Sequence, residues 1–112
     1  MSTEVLESLV DTHYPAAVRG DREAYGRIVA GCQTTVTSIA LAIVRDVHAS
    51  EDIAQEAFLS AWQNLRKLHN PASFLPWLRQ ITRNLARDHL RAQVHRRAPA
   101  GDIEDVLAAV AD

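Results

Sequence analysis

Cysteine occurs once in this chain, at Cys32, which excludes an intramolecular disulfide and favours a reducing compartment. Glycine and proline number four each and fall mostly at punctuation points. Gly20, Gly26, Gly31 and Gly101 are too scattered to build a G-x-x-x-x-G-K-[ST] or G-x-G-x-x-G phosphate cradle. The longest apolar run, Ile39 to Val44, is far too short to span a bilayer. The opening "MSTEVLESLVDTHYP" lacks the basic start and apolar run of a signal peptide. A soluble, cytoplasmic protein with no membrane insertion is therefore expected.

Catalytic patterns are also missing. His13, His48, His69, His89 and His95 show neither H-E-x-x-H nor a Cys/His ligand spacing, so no metal and no cofactor are expected. Each histidine reads as solvent-exposed or placed at a helix end. Cys32 lies on an apolar stripe and reads as a buried core thiol, not a nucleophile. Asp52 and Glu56 share a helix face, as paired acids would. Both are expected to face solvent near a helix N-terminus, which does not suit paired catalytic acids. No enzyme is expected.

What is present is an uneven distribution of charge. The net charge of -2 conceals three blocks. Residues 1–60 hold four Lys/Arg against nine Asp/Glu, a balance of -5. Residues 61–97 hold eight Lys/Arg against Asp88 alone, +7, and residues 98–112 hold four acids and no base, -4. A basic block between two acidic ones is the asymmetry of a segment that meets a polyanion. Within it, Arg79, Arg83, Arg87 and Arg91 recur every four residues, so on a helix they share one face and repel one another.

The periodicity is helical throughout. Hydrophobic residues make up 47% of the chain, enough for one small domain with a single core. Gly20 ends a first helix and Asp21 caps the next. From Arg22 to about Asp46, Tyr25, Ile28, Val29, Cys32, Val36, Ile39, Ala40, Ile43 and Val47 keep a 3.6-residue stripe. Its β-branched centre, "TTVTS", also suits a strand, but the stripe continues on both sides and predicts a helix. Ser50 reads as the N-cap of a third helix, with Glu51 and Asp52 in its first turn. Ile53, Ala54, Ala57, Phe58, Ala61, Trp62 and Leu65 form its apolar face. A loop over residues 66–73 follows, then a helix capped by Ser73 with Pro76 in its first turn. Phe74, Trp77, Leu78, Ile81 and Leu85 face the core, and both tryptophans read as core anchors. The fold class is all-α, a compact bundle of about four helices.

Two motifs together carry a resemblance. "EDIAQEAFLSAWQNL" followed by "SFLPWLRQITRNLARDHLR" resembles domain 2 of the sigma-70 family of transcription initiation factors, and most of all its extracytoplasmic function (ECF) group. The likeness covers roughly residues 16 to 97. It implies a domain 2 over residues 1–97 and an acidic linker or tail over 98–112. It implies that Asp52, Gln55, Glu56 and Leu59 dock onto the β′ clamp helices of core RNA polymerase. It also implies that the last helix reads the promoter −10 element as single-stranded non-template DNA and melts it. Asn84, on the row Gln80–Asn84–Asp88, would then meet a base edge or the backbone. Arg83, Arg87 and Arg91 would hold phosphates, with most weight on Arg83 and Arg87, while Arg79 is free to brace the acidic helix.

The loop, with Leu68, His69 and Asn70, corresponds to the family's pocket for an extruded base. Leu68 and Pro71 depart from the aromatic residue common there, so stacking on Leu68 would be weaker. His69 and Asn70 serve equally as polar contacts or as turn formers. The resemblance further implies an anti-sigma protein as partner. It also implies a second, −35-reading helix-turn-helix domain, and nothing after Arg97 resembles one. Domain 2 alone and one subunit of a split factor are both open on this reading. So is a helical interaction module that binds polymerase or a regulator without reading DNA.

Overall fold

The computed structural model describes residues 2–97; the acidic stretch 98–112 lies outside the described residues. It is all-α, with helices α1 (Thr3–Val18), α2 (Arg22–Val44), α3 (Val47–Asn64) and α4 (Phe74–Arg97). Two short 3-10 turns, Leu65–Lys67 and Pro71–Ser73, join α3 to α4. The β-branched centre of α2 is helical, as the continuous stripe requires, because packing of that face outweighs the weak local preference for a strand.

Turn chemistry sets the corners. Gly20 has φ +100°, a left-handed conformation that costs glycine little. Its N–H bonds the Ala17 carbonyl while the Asp21 N–H bonds that of Ala16, a Schellman-type end to α1. Asp21 then caps α2, its Oδ1 accepting from the N–H groups of Glu23 and Ala24. Gly31 serves a different need. A Cβ there would lie 2.2 Å from Cδ2 of Leu9, so the missing side chain lets α1 close on α2.

Three sequence expectations are corrected. Helix α2 stops at Val44, where Arg45 turns left-handed at φ 55°, and Val47, expected on the α2 stripe, is 62% exposed. The N-cap of α3 is Asp46, whose Oδ1 accepts from the Ala49 N–H at 3.1 Å. Ser50 lies a full turn inside the helix, fully buried, with its hydroxyl donating to the Val47 carbonyl. Asp46 wins because the chain turns there, leaving the first N–H groups of α3 pointing at its carboxylate. The entry to α4 is not a simple Ser73 cap either: Asn70 Oδ1 accepts from the Ala72 N–H, and the 3-10 turn runs straight into the helix at Phe74.

The core lies where α2 meets the other three helices. Ile28, Cys32, Val36, Ala54, Ala57, Ala61, Phe74 and Leu78 are almost wholly buried there. A smaller cluster of Ala40, Val44, Ala49, Ile53 and Ala86 closes the far end. By length and composition alone α2 is long and apolar enough to pass as a membrane span, and its buried stripe packs on α1, α3 and α4. Tyr25 ties α2 to α3 through a hydrogen bond from its hydroxyl to the Phe58 carbonyl.

Removing the cap tests the corrected start of α3. Asp46→Ala should destabilise the fold by about 1 kcal/mol in urea unfolding, the usual worth of an N-cap. Ser50→Ala should cost less, because its hydroxyl only adds a second donor to a carbonyl within the helix; the reverse order would return the cap to Ser50.

Candidate functional site

Helix α3 buries an alanine-rich face, which leaves Asp52, Gln55, Glu56 and Leu59 together on the outside. All four are exposed, Leu59 to 55%. They line an open groove of about 760 Å³ with Ile53 below and Leu85, Asp88 and His89 of α4 opposite. Three carboxylates and no lysine or arginine line it. Asp88, placed by sequence in the DNA-facing row, therefore sits at the rim of the acidic groove. His89, expected to be exposed or at a helix end, is half-buried inside α4, and its Nε2 is enclosed without a hydrogen-bond partner.

The same α3–α4 seam opens at its other end into a second pocket. Ser60, Asn64, Lys67, Leu68, Trp77 and Ile81 line about 240 Å³. Leu68, Trp77 and Ile81 supply apolar walls, and Lys67 supplies a cation. Residues 52–59 face 85–89 while 60–64 face 77–81, so the two helices run antiparallel along the seam. Of these pocket residues, sequence reasoning named only Leu68 for the site. Trp77 is both things at once, packed edge-on against Phe74 at 6.1 Å and lining the pocket. The i, i+4 spacing of Ser60 with Asn64 and of Trp77 with Ile81 carried the signal.

Along the outer edge of α4, Gln80 Nε2 donates to Asn84 Oδ1 at 2.9 Å, so Asn84 offers its amide nitrogen outward. Arg83, Arg87 and Arg91 are half-buried and Asn84 is exposed. Arg91 pairs with Asp88 at 3.6 Å, a solvent-screened contact worth little. A four-residue step advances about 40° beyond a full turn, so the row winds and its members do not stack. Arg79, at the winding end, does not brace α3; its charge acts on Cys32 of α2. In the loop, His69 and Asn70 are exposed, and the Asn70 side chain is spent on the turn.

No group of three or more metal-ligating side chains comes together among the described residues. Cys32 is fully buried, and burial pushes its thiol up to about 11, with the Arg79 charge opposing in part. That is the behaviour of a core thiol and not of a nucleophile.

The chain matches the family Sigma-70 region 2 over residues 28–96, from the first turns of α2 to the end of α4. It belongs to the sigma-70 family. It is 60% identical over 111 residues to the probable RNA polymerase sigma factor RfaY of Xanthomonas campestris, covering 99% of this chain and 28% of that protein. The RNA polymerase sigma-H factor of Pseudomonas aeruginosa is 34% identical over 76% of this chain and 44% of its own length. The ECF RNA polymerase sigma-E factor of Escherichia coli is 33% identical over 80% of this chain and 46% of its own. The chain thus spans less than half the length of these sigma factors. No solved structure gave a significant match. Residues 28–96 include the whole of the acidic groove and of the second pocket, while α1 lies outside the matched region.

The buried thiol gives a pH test within this sigma-70 domain. Its folded pKa lies above the ordinary 9.0, so the folded state binds the extra proton. That contribution to stability is complete below about pH 9 and is lost as pH rises toward about 11. Iodoacetamide should therefore leave Cys32 unmodified in the native protein at pH 8 to 9 (roughly the range where a free thiol ionises) and label it only after unfolding.

Proposed function

We propose that this chain acts as the region 2 portion of a transcription initiation sigma factor, binding core RNA polymerase through α3 and the single-stranded −10 element through α4 and the loop. The observation that carries the proposal is the division of one α3–α4 seam. An acidic, leucine-bearing groove lies at one end and an apolar pocket carrying Lys67 at the other, while Arg83, Arg87 and Arg91 run along α4 level with the groove. Asp52, Gln55, Glu56 and Leu59 form the dock for the β′ clamp helices, a polar surface with one apolar anchor. Arg83, Arg87 and Arg91 hold phosphates, and Asn84, oriented by Gln80, offers a donor to a base edge. Such a subunit works in the cytoplasm and lends polymerase its specificity without covalent chemistry. An anti-sigma protein would act by covering either face.

Magnitudes make strand capture workable. Opening one base-pair step costs about 1.4 kcal/mol of stacking. Stacking a freed base on an apolar or aromatic wall returns about 1–3 kcal/mol. One captured base thus offsets about one opened step, and phosphate contacts contribute the remainder.

Binding to bacterial core RNA polymerase tests the dock. Asp52→Arg should abolish binding and Gln55→Ala weaken it severalfold, with helicity unchanged by circular dichroism. Binding indifferent to both would put the dock elsewhere. In the assembled complex, single-stranded −10 DNA should bind more tightly than the duplex, and Arg83→Ala should shallow the salt dependence by about 0.7 in log–log slope, one phosphate's worth. Equal affinity for duplex and single strand would leave a polymerase-binding module that does not read DNA.

A further inference from the structure

Tyr14 stands on α1, outside the matched region, yet its hydroxyl donates to the carbonyl of Leu68, 54 residues away, at 2.5 Å. The loop's own hydrogen bonds are local. The Leu68 N–H reaches back to Leu65, and the Ala72 and Ser73 N–H groups both close on Asn70. Tyr14 also connects to the helix side of the second pocket through one intervening ring, Phe74. Its ring lies edge-on to Phe74 at 6.3 Å, and Phe74 lies edge-on to Trp77 at 6.1 Å. Leu68 and Trp77 both line that pocket. One buried side chain thus holds the loop wall through a hydrogen bond and backs the helix wall through an aromatic stack.

We infer that Tyr14 is a positioning residue that fixes the spacing between Leu68 and Trp77, so that the pocket accepts an unstacked nucleobase of single-stranded DNA. The inference rests on the DNA-reading role proposed above. The chemistry of the lining supports a base with its phosphate: Leu68, Trp77 and Ile81 give apolar contact for the ring, Ser60 and Asn64 meet its polar edge, and Lys67 meets the charge. Leu68 stacks less well than an aromatic residue would, so the pocket depends more on wall spacing and on Trp77. Without the hydroxyl, the Leu68 carbonyl loses its fixed partner and the loop is tied only to itself.

Tyr14→Phe isolates that hydroxyl while keeping the ring in the core. Two measurements go together. The first is amide hydrogen exchange of the purified chain. The second is binding of core polymerase complexes to single-stranded oligodeoxynucleotides that differ at one central base. Exchange at Leu68, Ala72 and Ser73 should quicken about fivefold to tenfold, the loss of one hydrogen bond, with the centres of α3 and α4 unchanged. Affinity for the preferred oligonucleotide should fall by a similar factor and the preference among bases should contract, while affinity for polymerase holds. Unchanged loop exchange, or faster loop exchange with base preference intact, would overturn the inference. A rise in exchange throughout α2, α3 and α4 would make Tyr14 a stability residue only, and overturn it too. A wild-type complex with no base preference would sink the DNA-reading proposal itself. That failure shows in the wild type before any variant is compared.

Discussion

Helix α3 has to bury one face against α2 and α4 at short range, and alanine makes this possible. Ala54, Ala57 and Ala61 are completely buried, with Ser50 beside them on the same face. Small side chains let helix axes approach closely, and at that range many weak dispersion attractions add up to a large one. Larger neighbours then fill the edges: Ile53 and Phe58 from α3, Leu65 from the 3-10 turn after it, Phe74 and Leu78 from α4. Once that face is committed, the remaining residues of α3 have nowhere to go but outward. Asp52, Gln55, Glu56 and Leu59 are among the residues left outside, and the docking surface proposed for them is a consequence of the core.

The same packing sets where the charges of this small domain lie. Charges farther apart than about 8 Å are largely screened at physiological salt. Asp52 and Glu56 line the groove from α3 and Arg83 and Arg87 sit on α4, while Asp88 of the groove meets Arg91 at 3.6 Å. Two ion pairs among the described residues, Arg27 with Glu23 and Arg91 with Asp88, each lie within a single helix, so neither holds two helices together.

Much of this was legible in the sequence, and the exceptions share a cause. Periodicity identified α2, α3, α4 and most of the core, and the two motifs identified the family. Periodicity failed at the α2–α3 corner. A 3.6-residue stripe can run straight through a break, as it did to Val47, and Ser50 is as good a cap by type as Asp46. Only the chain reversal at Arg45 decides between them. Most of the lining of the pocket at the loop end was missed because its residues come from three elements, and because tryptophan on an apolar stripe looks the same whether sealed in or lining a cleft. Tyr14 was unreadable for a similar reason. A bond between residues 14 and 68 leaves no local pattern in either segment.

The four arginines at four-residue spacing now have a physical account. Their repulsion is tempered because the row winds around α4 by about 40° at each step. Arg79 at one end turns toward α2, where its charge acts on Cys32, and Arg91 at the other meets Asp88. The middle pair, Arg83 and Arg87, flanks Asn84 on the outer edge. A carboxylate at position 88 would weaken a purely DNA-facing surface. Placed on the seam side, it steadies the last arginine and completes the acidic rim toward α3. Helix α4 thus carries two surfaces of opposite sign along its length, and a single residue, Asp88, marks the line between them.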